Sequence, residues 1–122
     1  MEKLIIQQTK ETPQIEFDGN SGFFSIVGKS YPENVNEFYK PVLEYLELYK
    51  QTPALKTTIV FNWLYYNTAT TKNIIKIIVR LKDLSNDFEV QWICNKEYEL
   101  IIEKGKELKE VLEVNLKIIE TE

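Results

Sequence analysis

The stretch TTIVFNWLYY, residues 57–66, decides the fold. Its β-branched and aromatic residues favour extended backbone. Both alternate sets, Ile59/Phe61/Trp63/Tyr65 and Val60/Leu64/Tyr66, are largely apolar, which predicts a central strand covered on both faces. Asn67-Thr68-Ala69-Thr70-Thr71 follows and leads into residues 73–84, where Ile74, Ile77, Ile78, Leu81 and Leu84 recur at helical spacing. A buried strand running into an amphipathic helix points to an α/β layered domain.

Toward the N-terminus, Leu4 to Gln7 reads as a short edge strand. Ile15 and Phe17, then Phe23, Ser25 and Val27, alternate around the turn-rich Asp18-Gly19-Asn20-Ser21-Gly22, which predicts a hairpin. Pro32 suits the first position of a helix, with Glu33 at the positive end of its dipole. Val35, Phe38, Tyr39, Val42, Leu46 and Tyr49 form one helical stripe. An interior proline costs roughly 3 kcal/mol, so Pro41 predicts a kink, or a break between a helix ending near Tyr39 and another starting at Pro41.

Toward the C-terminus, Phe88 to Ile93 reads as a strand with Val90 and Trp92 on one face. Residues 97–112 read as a helix with Ile101, Leu108 and Leu112 inward. Gly105 in its middle predicts close packing against the sheet. Val114, Leu116 and Ile118 alternate as a last edge strand. The order, with three strands first and then α-β repeated to the end, predicts a single domain over residues 1–122. It is a mixed sheet with helices packed mainly on one face, similar to the STAS fold of the anti-sigma-factor antagonists.

Composition removes whole classes of chemistry. The 122 residues contain no His and one Cys, Cys94. That excludes Ser-His-Asp and Cys-His catalysis and nearly all zinc sites. Cys94 has no disulfide partner within the chain and reads as a small buried hydrophobe, as expected in a reducing, cytoplasmic setting. Net charge is −4 and Arg80 is the one arginine, which argues against nucleic acid and anionic membrane as partners. No segment has the apolar length of a membrane span, and MEKLIIQQTKET lacks that of a signal peptide. No cofactor and no metal are expected.

The acids were the remaining route to catalysis. Asp18 lies in a turn, Glu33 in a first helical turn, and Asp83 and Asp87 bracket a loop. Glu97, Glu99, Glu103, Glu107 and Glu110 interleave with lysines as a solvated helix face. Asp18-Gly19-Asn20 has no later acid to complete a calcium loop. Gly28-Lys29-Ser30 ends like a phosphate-binding loop, but Phe23 stands where the first glycine would be, so it reads as a strand-to-helix turn with Lys29 at the surface. A carboxylate enzyme using Asp18 or Glu33 is the least supported reading, and no enzyme is expected.

The junction of residues 65–72 is the most informative. Asn67 or Thr68 can cap the following helix. A hydroxyl there is held by rigid elements and can face solvent, and a phosphate on it would meet the positive end of the helix. A plain capping threonine accounts for the same pattern.

The spaced segments Thr12-Pro13-x-Ile15-x-Phe17-Asp18, Gly28-Lys29-Ser30-Tyr31-Pro32-Glu33-Asn34, Phe38-x-x-Pro41-Val42 and Tyr66-Asn67-Thr68 resemble the SiaC-type regulatory phosphoproteins. The resemblance covers nearly the whole chain. It implies a STAS-like fold and a bacterial partner-switching pathway. In that pathway a dedicated serine/threonine kinase phosphorylates a threonine and a PP2C-type phosphatase removes the phosphate. The unphosphorylated form binds a diguanylate cyclase and so controls cyclic-di-GMP and biofilm formation. Carried over, the phosphate falls on Thr68. Thr70 is a second candidate, because Ala69 and Thr70 stand where the family commonly has serines.

Lys29, Tyr31, Glu33 and Asn67 are expected to line the partner surface, since strand ends in such a sheet lie near one another. The acidic stretch that follows the family's tryptophan strand is here Asn95-Lys96-Glu97-Tyr98-Glu99, less acidic than the pattern. The alternative reading is an unmodified structural adaptor or homodimeric interaction module.

Overall fold

Three β-α-β crossovers in succession, all advancing the same way across the sheet, organise the chain. The computed structural model describes residues 1–84 and 87–122. Its elements are β1 (Leu4–Ile6), β2 (Gln14–Asp18), β3 (Phe23–Ser30), α1 (Val35–Tyr49), β4 (Lys56–Tyr66), α2 (Thr68–Lys82), β5 (Asp87–Asn95), α3 (Glu99–Leu112) and β6 (Leu116–Thr121). The loop bracketed by Asp83 and Asp87 includes residues 85 and 86, which lie outside the described residues. The six strands follow sequence order, antiparallel from β1 to β3 and parallel from β3 to β6. Right-handed crossovers that all step in one direction put the helices on one face of the sheet.

The core lies under those helices. Ile59, Phe61 and Trp63 of β4 meet Phe24 and Ile26 of β3 and Val90 and Trp92 of β5, all at or near zero exposure. Tyr39, Val42, Leu46 and Tyr49 of α1 and Ile74, Ile77, Ile78 and Leu81 of α2 close over them. Gly105 packs as its place in the sequence predicts: a Cβ there would lie 2.5 Å from Trp92 Cδ1. Trp92 Nε1 donates to the Ile101 carbonyl at 2.8 Å, so β5 and α3 are joined by a polar contact as well. Cys94 is buried, and burial followed by the charge of Glu120 pushes its thiol pKa up, which leaves it inert.

Several expectations need correction. β4 is central, but one face is open: Phe23, Val27, Leu64 and Ile119 are exposed there, beside the Lys117–Glu89 ion pair at 2.8 Å. The helices pack on the other face, and nothing among the described residues covers this one. In β3 the inward set is Phe24, Ile26 and Ser30, not Phe23, Ser25 and Val27. The adjacent phenylalanines make either parity apolar, and the pairing of Phe17 with Phe24 selects one.

α1 starts at Val35, with Asn34 as its cap: Asn34 Oδ1 accepts from Glu37 N at 3.2 Å and Asn34 Nδ2 donates to Glu37 Oε2 at 3.0 Å. Pro32 and Glu33 therefore lie outside the helix, because the asparagine supplies a better cap than the proline start. Nor does Pro41 divide α1. Its side is exposed, and four fully buried residues hold the helix against the sheet across that point. In α3 the buried residues are Ile102, Gly105 and Leu108, with Ile101 and Leu112 at the margin, and the helix begins two residues later than its charge pattern suggests.

Candidate phosphorylation site and partner groove

Backbone pairing sets the local geometry. Between β3 and β4 the register shifts, so that Gly28 pairs with Trp63 but Lys29 pairs with Tyr65. Leu64 is the extra residue, and side-chain parity reverses beyond it. Tyr65, expected inward, is 48% exposed. Tyr66 instead turns under the helices, with ring centroids 5.1 Å from Trp63 and 6.1 Å from Trp92. Gly28, at φ 122°, supplies the backbone conformation on the β3 side of this irregularity. Gly28-Lys29-Ser30 is thus the end of a strand, not a turn, with Lys29 exposed and Ser30 fully buried.

Ser30 anchors a buried hydroxyl relay. Its Oγ lies 2.8 Å from the Tyr39 hydroxyl and 2.9 Å from Thr70 Oγ1. Thr70 Oγ1 in turn reaches Asn67 Oδ1 at 2.8 Å and the Ser30 carbonyl at 3.1 Å. Each hydroxyl has one proton, so the arrangement that satisfies all of them runs one way. Tyr39 donates to Ser30, Ser30 to Thr70, and Thr70 to Asn67 Oδ1 or the Ser30 carbonyl. Asn67 Oδ1 also caps α2 by accepting from Thr70 N at 3.0 Å, and Asn67 N donates to the Ser30 carbonyl at 3.0 Å. The start of α2 is tied to β3 and α1 at one point. Burial, opposed by the Ser30 contact, raises the Tyr39 pKa and keeps the phenol neutral.

Thr68 is the first residue of α2 and is exposed. The capping residue is Asn67, which leaves the Thr68 hydroxyl free of that task. Thr70, two residues on, has no exposure at all. The two candidate threonines are therefore physically unlike. The Thr68 residue is open to solvent on the folded protein, whereas Thr70 is enclosed beneath the first turn of α2.

Thr68 lines a groove of about 760 Å³ between the first turns of α2 and α3. Leu64 and Tyr65 from β4, Thr71 from α2, and Tyr98, Leu100 and Lys104 from the α3 side share it. Its apolar residues are well exposed: Leu64 is 56% and Leu100 88% accessible. Burial first, then the charges of Cys94 and Glu107, raise the pKa of Tyr66, whose ring closes the groove floor. Glu97 and Glu99 stand on the rim. Glu97, Tyr98 and Glu99, from the segment noted in the sequence only as a departure from an acidic pattern, thus line the same groove as Thr68.

The other sequence-predicted residues are placed more loosely. Tyr31 packs edge-on against Tyr65 with ring centroids 5.8 Å apart, and Lys29 is paired with Tyr65 in the sheet. Both belong to the strand-end cluster with Asn67. Glu33 is exposed in the segment that follows. Asp18 and Glu33 lie beyond opposite ends of β3 and do not converge. Desolvation opposes ionisation of Asp18, but the Asn20 and Ser21 backbone N–H groups, at 3.0 and 3.4 Å, lower its pKa overall; it organises its own turn. Leu100 and Lys104 went unnoticed in the sequence, and Leu64 and Tyr98 were read there without a groove. The one available signal was an aromatic and a leucine two residues apart at a helix start.

No helix among the described residues is long and apolar enough to cross a membrane, and no group of metal-ligating side chains is found among them. A second, smaller groove of about 430 Å³ lies between α1 and α2, where Arg80 and Glu47 already pair at 3.0 Å.

Comparison with known proteins bears on this geometry. The model of the SiaC family of regulatory phosphoproteins matches residues 6–121. An uncharacterized protein of Pseudomonas aeruginosa is 27% identical over 113 residues, 90% of each chain. The crystal structure of apo-SiaC from the same organism superposes with a TM-score of 0.88 at 25% identity, covering 98% of this chain and 99% of that one. SiaC as seen in the crystal structure of the diguanylate cyclase SiaD with its activator SiaC gives 0.89 at 26% identity, over 97% and 99%.

Proposed function

Because this chain belongs to the SiaC family of regulatory phosphoproteins, we propose that it is a non-enzymatic, cytoplasmic switch whose single domain binds and regulates a partner until Thr68 is phosphorylated. The observation that carries this reading is the placement of Thr68: an exposed hydroxyl at a rigid helix start, on the wall of an apolar groove. The partner is a diguanylate cyclase, by analogy with the complex in which SiaC is the activator of SiaD.

The chemistry requires no catalytic group on this chain. A serine/threonine kinase transfers the γ-phosphoryl group of a nucleoside triphosphate to Thr68 Oγ1, and the hydroxyl proton leaves to the kinase's base. A PP2C-type phosphatase hydrolyses the ester with water and releases inorganic phosphate. The modification adds about −1.5 to −2 charges at the positive end of α2, where the helix tolerates them. The fold therefore persists while the groove, already lined by Glu97 and Glu99 against Lys104, becomes more negative and more crowded. The partner rests on the strand ends and the groove together, with Lys29, Tyr31, Glu33 and Asn67 on one side and Tyr98 and Leu100 on the other.

The test is intact mass and phosphopeptide mapping of the protein from its own cells. One phosphate on Thr68 supports the switch. Phosphate confined to Thr70 moves the site to the buried hydroxyl. Unmodified protein with its kinase expressed favours the plain adaptor.

A further inference from the structure

Among the described residues that line the groove beside Thr68, Lys104 is the one cation. Its Nζ lies 3.2 Å from Glu107 Oε2, a pair on one helix with side chains 30% and 59% exposed. An exposed pair of this kind is weak. A phosphate carrying nearly two charges in the same groove is the stronger partner. The remaining charged lining residues, Glu97 and Glu99, repel it.

We propose that Lys104 receives the phosphate of Thr68, leaving Glu107 and bridging α2 to α3 across the groove, so that phosphorylation closes the apolar docking surface from within. This rests on the reading of Thr68 as the modified residue. It adds a latch to the charge that the modification introduces: Tyr98 and Leu100 become covered by the protein's own ion pair. Glu107 is the resting holder of Lys104, and removing it should ease the transfer.

The test uses full-length protein with phosphothreonine placed at position 68 by nonsense suppression, so that it does not depend on the native kinase. Phosphorus NMR then follows the second ionisation of the phosphate in otherwise wild-type protein, Lys104→Gln, Lys72→Gln and Glu107→Gln. An ion pair holds the phosphate dianionic, so Lys104→Gln should raise its pKa by about half a unit, roughly a threefold change in proton affinity. Lys72→Gln, one turn along α2 but outside the groove lining, should move it less. Glu107→Gln should lower it. Equal titration in Lys104→Gln and the otherwise wild-type phosphoprotein would overturn the latch. These substitutions fall on exposed side chains, and circular dichroism confirms that each variant keeps its fold. Absence of phosphate on Thr68 in native cells would instead defeat the regulatory reading while leaving the titration result standing.

Discussion

Thr68 and Thr70 are two residues apart at the start of one helix, yet they belong to different parts of the molecule. Thr70 is fully buried, and its hydroxyl connects Asn67 to Ser30 and, through Ser30, to Tyr39. Thr68 is exposed and faces a groove. Helical geometry explains the contrast, since a step of two residues turns a side chain by more than half a circle. One threonine fixes the helix in place and the other is presented by it. The proposed switch needs surroundings that hold still, and the buried relay ties the start of α2 to β3 and α1.

The sharpest way to break this contrast is Thr70→Val. The substitution leaves one hydroxyl proton of the Ser30–Tyr39 pair without the acceptor that Thr70 supplied, at a cost of about 1–3 kcal/mol. Urea unfolding should show a lower midpoint with an unchanged slope. A Thr70→Val protein as stable as wild type would mean that the relay does not hold α2.

Asn67→Ala comes next. It removes the cap of α2 and the acceptor of the Thr70 hydroxyl together, and the loss of such a cap is typically about 1 kcal/mol. Thermal unfolding measures it. A change no larger than that for an exposed residue would assign the capping role elsewhere.

Tyr39→Phe sharpens the comparison through pH. Burial raises the Tyr39 pKa above its ordinary value near 10, against the lowering effect of Ser30. A folded-state pKa above the unfolded one gives a contribution to stability that is present below pH 10 and lost as pH rises past it. Wild-type protein should therefore lose stability more steeply above pH 10 than Tyr39→Phe does. Parallel alkaline limbs in the two unfolding profiles would remove Tyr39 from the account.

The smallest expected effect is that of Thr68→Ala, within about 0.5 kcal/mol, as for other surface changes. Its partner binding should match that of the unphosphorylated protein and resist the kinase. A large loss of stability would show that Thr68 is structural after all.

Much of the fold was legible because it rests on short-range pattern. The element order, the hairpin, the burial of Cys94 and the packing of Gly105 under Trp92 follow from periodicity and residue type. The parity of β3 was not, since Phe23 and Phe24 are adjacent and either fits an apolar face. Nor was the parity of Tyr65 and Tyr66, which a single unpaired residue, Leu64, reverses. Asn34 displaced Pro32 as the start of α1 through a capping contact that the pattern permits but does not select.

The site was legible in part. Thr68 and Asn67 stood out as a helix start, and the resemblance to a family drew attention to the threonine. The burial of Thr70 was hidden, because a polar residue at a helix start reads as exposed until its partners on β3 and α1 are known. The groove was hidden for the same reason. Leu64 and Leu100 are separated by an entire β-α-β unit, and only the parallel pairing of β4 with β5 brings their ends together.

The most direct test of the central claim compares the affinity of one partner for two forms of the protein. The diguanylate cyclase of the same bacterium is titrated with unmodified protein and with protein carrying phosphate on Thr68 alone, by calorimetry at fixed salt. The account predicts at least a tenfold weaker complex for the phosphorylated form, about 1.4 kcal/mol. Equal affinity for the two forms would contradict it.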